Sequence, residues 1–153
     1  MLLDRWLKIG QVARQSGLSV KTIRYYEQLG LLAPNVERSR SGYRLFQPSI
    51  FNRLAFIKRS QALGLSLNEI RDILEIRDRG ELPCEAVKAR LLEKLQQIHE
   101  QIQALETLKL EVLGILSGWE DQPPPEQVQR TICPNLQPAR SQRSEYAIKT
   151  DLI

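Results

Sequence analysis

The sequence predicts a mainly α chain: a winged helix-turn-helix with a small β-hairpin wing, then a long coiled-coil helix and a short C-terminal loop. Three observations carry this. Two short helical periodicities lie on either side of Ser16-Gly17-Leu18-Ser19 near the start of the 153-residue chain. A turn-rich, arginine-bearing stretch follows over residues 33–47. From Cys84 to Trp119 the apolar residues recur in sevens.

The first helix is signalled by Ile9, Val12 and Ala13, whose spacing fits one helical face. Gly17 suits the positive-φ position of a tight turn. Ser19 is placed to cap a second helix over Val20–Glu27. Helix, short glycine turn and helix form a helix-turn-helix. Pro34, Asn35, Ser39, Ser41 and Gly42 then mark turns. Extended pieces at Leu31–Ala33 and Tyr43–Phe46 are expected to pair as a hairpin that carries Arg38, Arg40 and Arg44. Such a basic hairpin is a wing.

Two further helices are expected. Pro48 stands near the start of the first, whose apolar face is Ile50, Leu54, Phe56, Ile57 and Leu63, with Gly64 as its stop. Ser66 and Glu69 form a capping box for the second, which turns Leu67, Ile70, Ile73, Leu74 and Ile76 inward. Gly80 and Pro83 end the unit, giving a winged helix-turn-helix domain over residues 7–80. Residues 84–119 carry the heptad Cys84, Leu91, Ile98, Leu105, Val112, Trp119, with Lys88, Leu95, Ile102, Lys109 and Leu116 as companions. This is a coiled-coil seam with two polar interruptions. One helix of ~52 Å, at 1.5 Å per residue, has no core of its own and needs a partner. Nothing else in the chain supplies a comparable helix, so the partner is a second copy. Pro123-Pro124-Pro125 terminates the helix, residues 120–138 form a loop or partial helix, and the polar segment 139–153 is expected to be a mobile tail.

Charge divides the chain. Residues 1–59 carry 11 Lys/Arg against 3 Asp/Glu, a net +8, while residues 60–153 carry 11 against 15, a net −4. A basic front and an acidic back place a polyanion at the front only, with nucleic acid the first candidate. A membrane partner is not expected, because no apolar run approaches the ~18–20 residues of a span and the front has no long basic amphipathic helix. The opening MLLDRWLK is charged too early for a secretory signal, so a cytoplasmic location is expected. In that reducing setting Cys84 and Cys133 are not expected to form a structural disulfide. An enzyme is not expected either. There is no acid/base constellation, phosphate loop or nucleophile–histidine arrangement, and His99, the one histidine, falls mid-coil.

A recognition helix must offer side chains to base edges and phosphates on one face. Lys21, Thr22, Arg24, Tyr25 and Tyr26 supply donors of the right kinds. Either tyrosine is as suited to packing as to a phosphate contact. The wing arginines would reach backbone or minor groove, and Lys58 and Arg59 add a cationic pair. Lysines and arginines also simply solvate surfaces; their concentration in the front half argues against that reading here.

Lys8-Ile9-Gly10-Gln11-Val12-Ala13, Ser16-Gly17-Leu18-Ser19 and Thr22-Ile23-Arg24-Tyr25-Tyr26-Glu27 together resemble the MerR family of bacterial transcription regulators. Gly30-Leu31-Leu32, Gly42-Tyr43-Arg44, Phe56-Ile57-Lys58 and Leu63 through Ile70 extend the resemblance, which covers roughly residues 7–119. It implies a winged-helix homodimer joined by an antiparallel coiled coil. Such a dimer would bind double-stranded promoter DNA with an over-long spacer and, on effector binding, bend and untwist it for RNA polymerase. It also implies that Lys21, Thr22, Arg24 and Tyr25 contact the major groove and nearby phosphates. Arg40, Tyr43 and Arg44 match wing contacts, with Arg38 a weaker match, and Lys58 matches a phosphate contact.

Within that family, the drug-binding branch needs a separate effector domain, and about 35 residues after the coil do not make one. The iron–sulfur branch needs four clustered cysteines. What remains resembles the metal-sensing branch: Pro83-Cys84-Glu85 opens the dimer helix as a metal-binding cysteine does in the mercury, zinc, cadmium and lead sensors, and Cys133-Pro134, in the candidate effector loop 120–138, resembles the last cysteine of their binding loop. Within one chain the two cysteines are expected at opposite ends of the helix. The 14 residues from Trp119 to Cys133 retrace at most ~46–50 Å fully extended, which a compact loop does not do. In an antiparallel dimer, Cys84 would meet Cys133 of the opposite protomer. Two thiolates suit a linear soft ion, Hg(II) or Cu(I); Zn(II), Cd(II) or Pb(II) would need added ligands, for which Glu85, Glu120 and Asp121 are the nearby oxygens. Two other readings stand beside this one: a thiol-redox sensor using the same pair, and an effector-free DNA-architectural protein of the excisionase kind.

Overall fold

The computed structural model describes residues 5–138. The expectation of a mobile tail at 139–153 lies outside them. Two compact units divide the chain, one running to Gln97 and one beginning at Ile98.

The N-terminal unit starts with a short strand, β1 (Leu7–Lys8), and then α1 (Ile9–Ser16) and α2 (Val20–Gln28). The turn between the helices forms as the residues dictate. Gly17 takes φ +71° and its N–H returns to the Ala13 carbonyl, closing α1. The Ser19 hydroxyl accepts the Thr22 N–H at 3.0 Å, satisfying a donor at the open end of α2. After a single 3₁₀ turn (Ala33–Asn35), β2 (Val36–Arg38) and β3 (Arg44–Phe46) make the wing. The sheet has the order β1-β3-β2, all antiparallel, with Arg38 directly opposite Arg44.

Two details correct the sequence reading. The first wing strand is Val36–Arg38, not Leu31–Ala33. Leu31 and Leu32 are consecutive and both fully buried, whereas a strand would turn neighbours to opposite faces. They enter the core from a turn instead. The wing also gains a third strand, because Leu7 and Lys8 pair with Phe46 and Leu45. A two-residue strand has no periodicity to read.

Helices α3 (Ile50–Ala62) and α4 (Leu67–Asp78) complete the unit. The Ser66/Glu69 capping box forms in both directions, with the Ser66 N–H donating to the Glu69 carboxylate at 2.7 Å and the Glu69 N–H to the Ser66 hydroxyl at 3.2 Å. Arg53 of α3 joins three segments. Its guanidinium forks onto both oxygens of Asp78 at 2.6 and 2.8 Å and its Nε–H donates to the Leu31 carbonyl. The core is one cluster drawn from both helix pairs and the wing, with Val12, Ile23, Leu31, Phe46, Ile50, Ile57 and Ile70 wholly enclosed. Each such side chain stabilises by about 1.5–3 kcal/mol through burial. Ala86 and Val87 also pack against this cluster, so the beginning of the long helix belongs to the winged unit.

That helix, α5, runs unbroken from Cys84 to Ser117 and buries no residue. It ends two residues before the expected Trp119, at Gly118, where Ser117 bonds back to the Gly114 carbonyl. In the second unit the seam residues Ile98, Ile102, Leu105, Val112 and Leu116 are all exposed. A four-residue helix, α6 (Pro125–Val128), follows the prolines. The Asn135 side chain then closes the loop, accepting the Glu120 N–H at 2.9 Å and donating to the Glu120 carbonyl at 3.0 Å. No helix among the described residues is long and apolar enough to cross a membrane.

Candidate nucleic-acid interface and thiol positions

The capped start of α2 sets out its residues on two faces. Ile23 and Tyr26 turn inward, and the Tyr26 hydroxyl donates to the Gln61 side chain of α3 at 2.5 Å. Burial pushes the Tyr26 phenol pKa up. Lys21, Arg24 and Tyr25 turn outward, Tyr25 being 50% exposed. The two tyrosines are thereby separated: Tyr26 packs and Tyr25 is available. Thr22 is half-buried, with its hydroxyl 2.8 Å from that of Ser19, so it takes part in the helix cap.

The wing is shaped by a tight turn over Ser39–Gly42. The Ser39 N–H reaches the Tyr43 carbonyl, the Ser39 hydroxyl accepts the Tyr43 N–H at 3.1 Å, and Gly42 takes φ +84°, a conformation side chains resist. The turn presents Arg40 at its exposed apex and Tyr43, 68% exposed, beside it. Arg44 is half-buried. It pairs with Glu27 of α2, and Arg38, across the hairpin, reaches the same carboxylate at 3.9 Å.

Arg24, Tyr43 and Arg44 line one open cleft of about 400 Å³ between α1, α2 and the wing. Lys8, Gln11 and Arg14 line it too, and sequence reasoning did not single these out. Lys8 and Arg14 belong to the basic front, but only the three-stranded sheet carries Lys8 to the wing. Lys58 is exposed on α3 outside the cleft, as are Lys21, Tyr25 and Arg40 on α2 and the wing turn; half-buried Thr22 does not line the cleft either.

A helix-turn-helix whose second helix shows cations outward, beside a basic wing, is matched by two family patterns. "MerR HTH family regulatory protein" covers residues 7–76 and "MerR, DNA binding" covers residues 51–115. The mercuric resistance operon regulatory protein of Bacillus cereus is 40% identical over 102 residues, 67% of this chain and 76% of that protein. The chain belongs to the MerR family. It is thus a DNA-binding transcription regulator, not an enzyme. Two solved structures of transcription regulators are similar. PbrR691 from Ralstonia metallidurans CH34, in complex with lead(II), is 32% identical with a TM-score of 0.67, covering 76% of this chain and 91% of that one. HiNmlR, a MerR-family regulator lacking the sensor domain and bound to promoter DNA, is 26% identical with a TM-score of 0.51, covering 74% and 91%.

The two thiols of this MerR-family chain are free. Cys84 is exposed at the first position of α5. Cys133 is half-buried in a turn, where its carbonyl accepts the N–H groups of Leu136 and Gln137 and the Gln137 side chain accepts those of Ile132 and Cys133. Among the described residues of a single chain, no three His, Cys, Asp or Glu side chains gather as a metal site.

Proposed function

We propose that the protein binds promoter DNA as a homodimer and switches transcription when a soft metal ion is held by Cys84 of one protomer and the partner's Cys133. The observation that carries this reading is the pairing of two free thiols with a long helix. One thiol opens a 34-residue helix whose apolar seam is exposed, and the other sits in a pinned turn beyond its far end. The mercuric-resistance relative and the lead(II)-bound neighbour support a metal effector. Two thiolates favour Hg(II) or Cu(I); Zn(II), Cd(II) and Pb(II) would draw on further oxygens such as Glu85, Glu120 or Asp121.

On the DNA side, Lys21, Thr22, Arg24 and Tyr25 would meet the major groove and its phosphates. Arg40, Tyr43 and Arg44 would engage from the wing, and Lys58 a further phosphate. Because Ala86 and Val87 pack on the winged core two and three residues after Cys84, a change at that thiol reaches the DNA-binding unit directly. The DNA would be bent and untwisted into a form RNA polymerase can use, so deformation is the switch.

In vitro transcription from the protein's own promoter with Hg(II), Cu(I), Zn(II), Cd(II) and Pb(II) tests this. One ion is expected to change transcript yield, and Cys84→Ser and Cys133→Ser each to abolish the change without loss of DNA binding. No response to any ion sinks the metal reading. A response to oxidant alone, with loss of two free thiols per chain, would establish the redox reading instead.

A further inference from the structure

Arg44, on the wall of the cleft between recognition helix and wing, is paired with an acidic group that does not belong there on grounds of affinity. Glu27 lies on α2 three residues after Arg24, on a surface meant for a polyanion. Its carboxylate is only 19% exposed and is occupied by both strands of the wing, by Arg44 directly and by Arg38 at 3.9 Å. These two arginines stand opposite each other in the β2–β3 register. Arg38 is further fixed by donating to the Gly42 carbonyl at 3.1 Å. One carboxylate on the recognition helix therefore holds the whole hairpin, through its two facing cations, at a set distance from the residues that read the major groove.

We propose that Glu27 is the positioning residue that sets sequence discrimination in this protein, acting through Arg44; the inference rests on the DNA-binding reading above. The carboxylate does two things. It fixes where the wing stands relative to α2, so that major-groove and wing contacts are made together only on DNA of suitable shape. It also offsets one of the two wing charges that face it, so Arg44 does not settle on any phosphate it meets. Specificity is a difference between affinities, and a group that weakens binding everywhere but weakens it least at the right site increases that difference.

The test uses the full-length protein without added metal. The probes are a duplex selected by the wild type from a random pool and a random-sequence duplex of equal length, with affinities measured over a range of KCl concentrations. Glu27→Gln is expected to bind the random duplex several-fold tighter, with a log–log salt slope steeper by about one charge. It should bind the selected duplex no tighter, so the specificity ratio falls about tenfold. In an Arg44→Gln background the same change should have little effect. Glu27→Asp keeps the charge but shortens the reach; it is expected to lose specificity while the salt slope stays put, and it carries the test if Glu27→Gln does not fold. Equal gains on both duplexes, or an effect that persists without Arg44, would overturn the proposal. A wild type that selects no sequence would bring down the DNA-binding reading itself, and this inference with it.

Discussion

The winged unit and the long helix solve the same problem in different ways. In the winged unit, 13 apolar side chains are buried in one cluster, and every buried side-chain polar atom among the described residues has a partner. In α5, none of the 34 residues is fully buried, and only Ala86 and Val87 at its start pack against that cluster. Leu95 is 62% exposed and Leu105 65%, values at home on neither a finished surface nor a finished core. The contrast shows that stability in the first unit comes from its own contacts, whereas a helix of this kind obtains it from what it associates with.

The sharpest way to break that contrast is to charge the seam. Leu95→Asp with Ile102→Asp should raise the dimer dissociation constant at least about 100-fold, since each large apolar side chain contributes about 1.5–3 kcal/mol when buried. Sedimentation would show a monomer whose winged unit still folds; an unchanged dimer would remove the seam from the account. Next in size is a matched pair of truncations. Ile57→Ala, in the core, should cost about 2–5 kcal/mol in urea unfolding. Leu110→Ala, 69% exposed and off the seam, should stay within about 0.5 kcal/mol.

Smaller effects probe the local ties. Asn135→Ala removes both hydrogen bonds to Glu120, each worth about 0.5–1.5 kcal/mol net. Trypsin should then cut after Arg130 about tenfold faster, with DNA binding unchanged. The last is a pH effect at the α4 cap. The Ser66 N–H bonded to Glu69 holds that carboxyl below its usual value, against a smaller opposing effect of burial and with help from the Ser66 hydroxyl, Lys94 and Arg90. A lowered folded pKa gives stability that is present above the unfolded value and lost as pH falls through the folded one. The melting-temperature difference between wild type and Glu69→Gln should therefore shrink on acidification from neutrality to below pH 4.

Much of this was legible in the residues. Ser19 and Ser66 announced their helices because capping is a local hydrogen bond between near neighbours. The heptad was legible because its period is a property of the helix itself. What escaped depends on distant partners. The pairing of Leu7–Lys8 with β3 spans nearly forty residues of sequence, and Leu31–Ala33 looked extended until the core claimed both leucines. Glu27 was read as part of a motif, yet its role is set by two arginines on another element. Lys8 and Arg14 went unselected because charge alone does not say which cations share a cleft.

The Asn135 clamp has a consequence for how such a chain diversifies. One amide side chain joins the far side of the loop to the backbone at its beginning, so the fourteen positions between Glu120 and Asn135 are closed off as a small module. The clamp itself uses no side chain inside that closure, Cys133 included. On the effector reading proposed above, a lineage carrying this clamp would change what it responds to while leaving the winged unit intact.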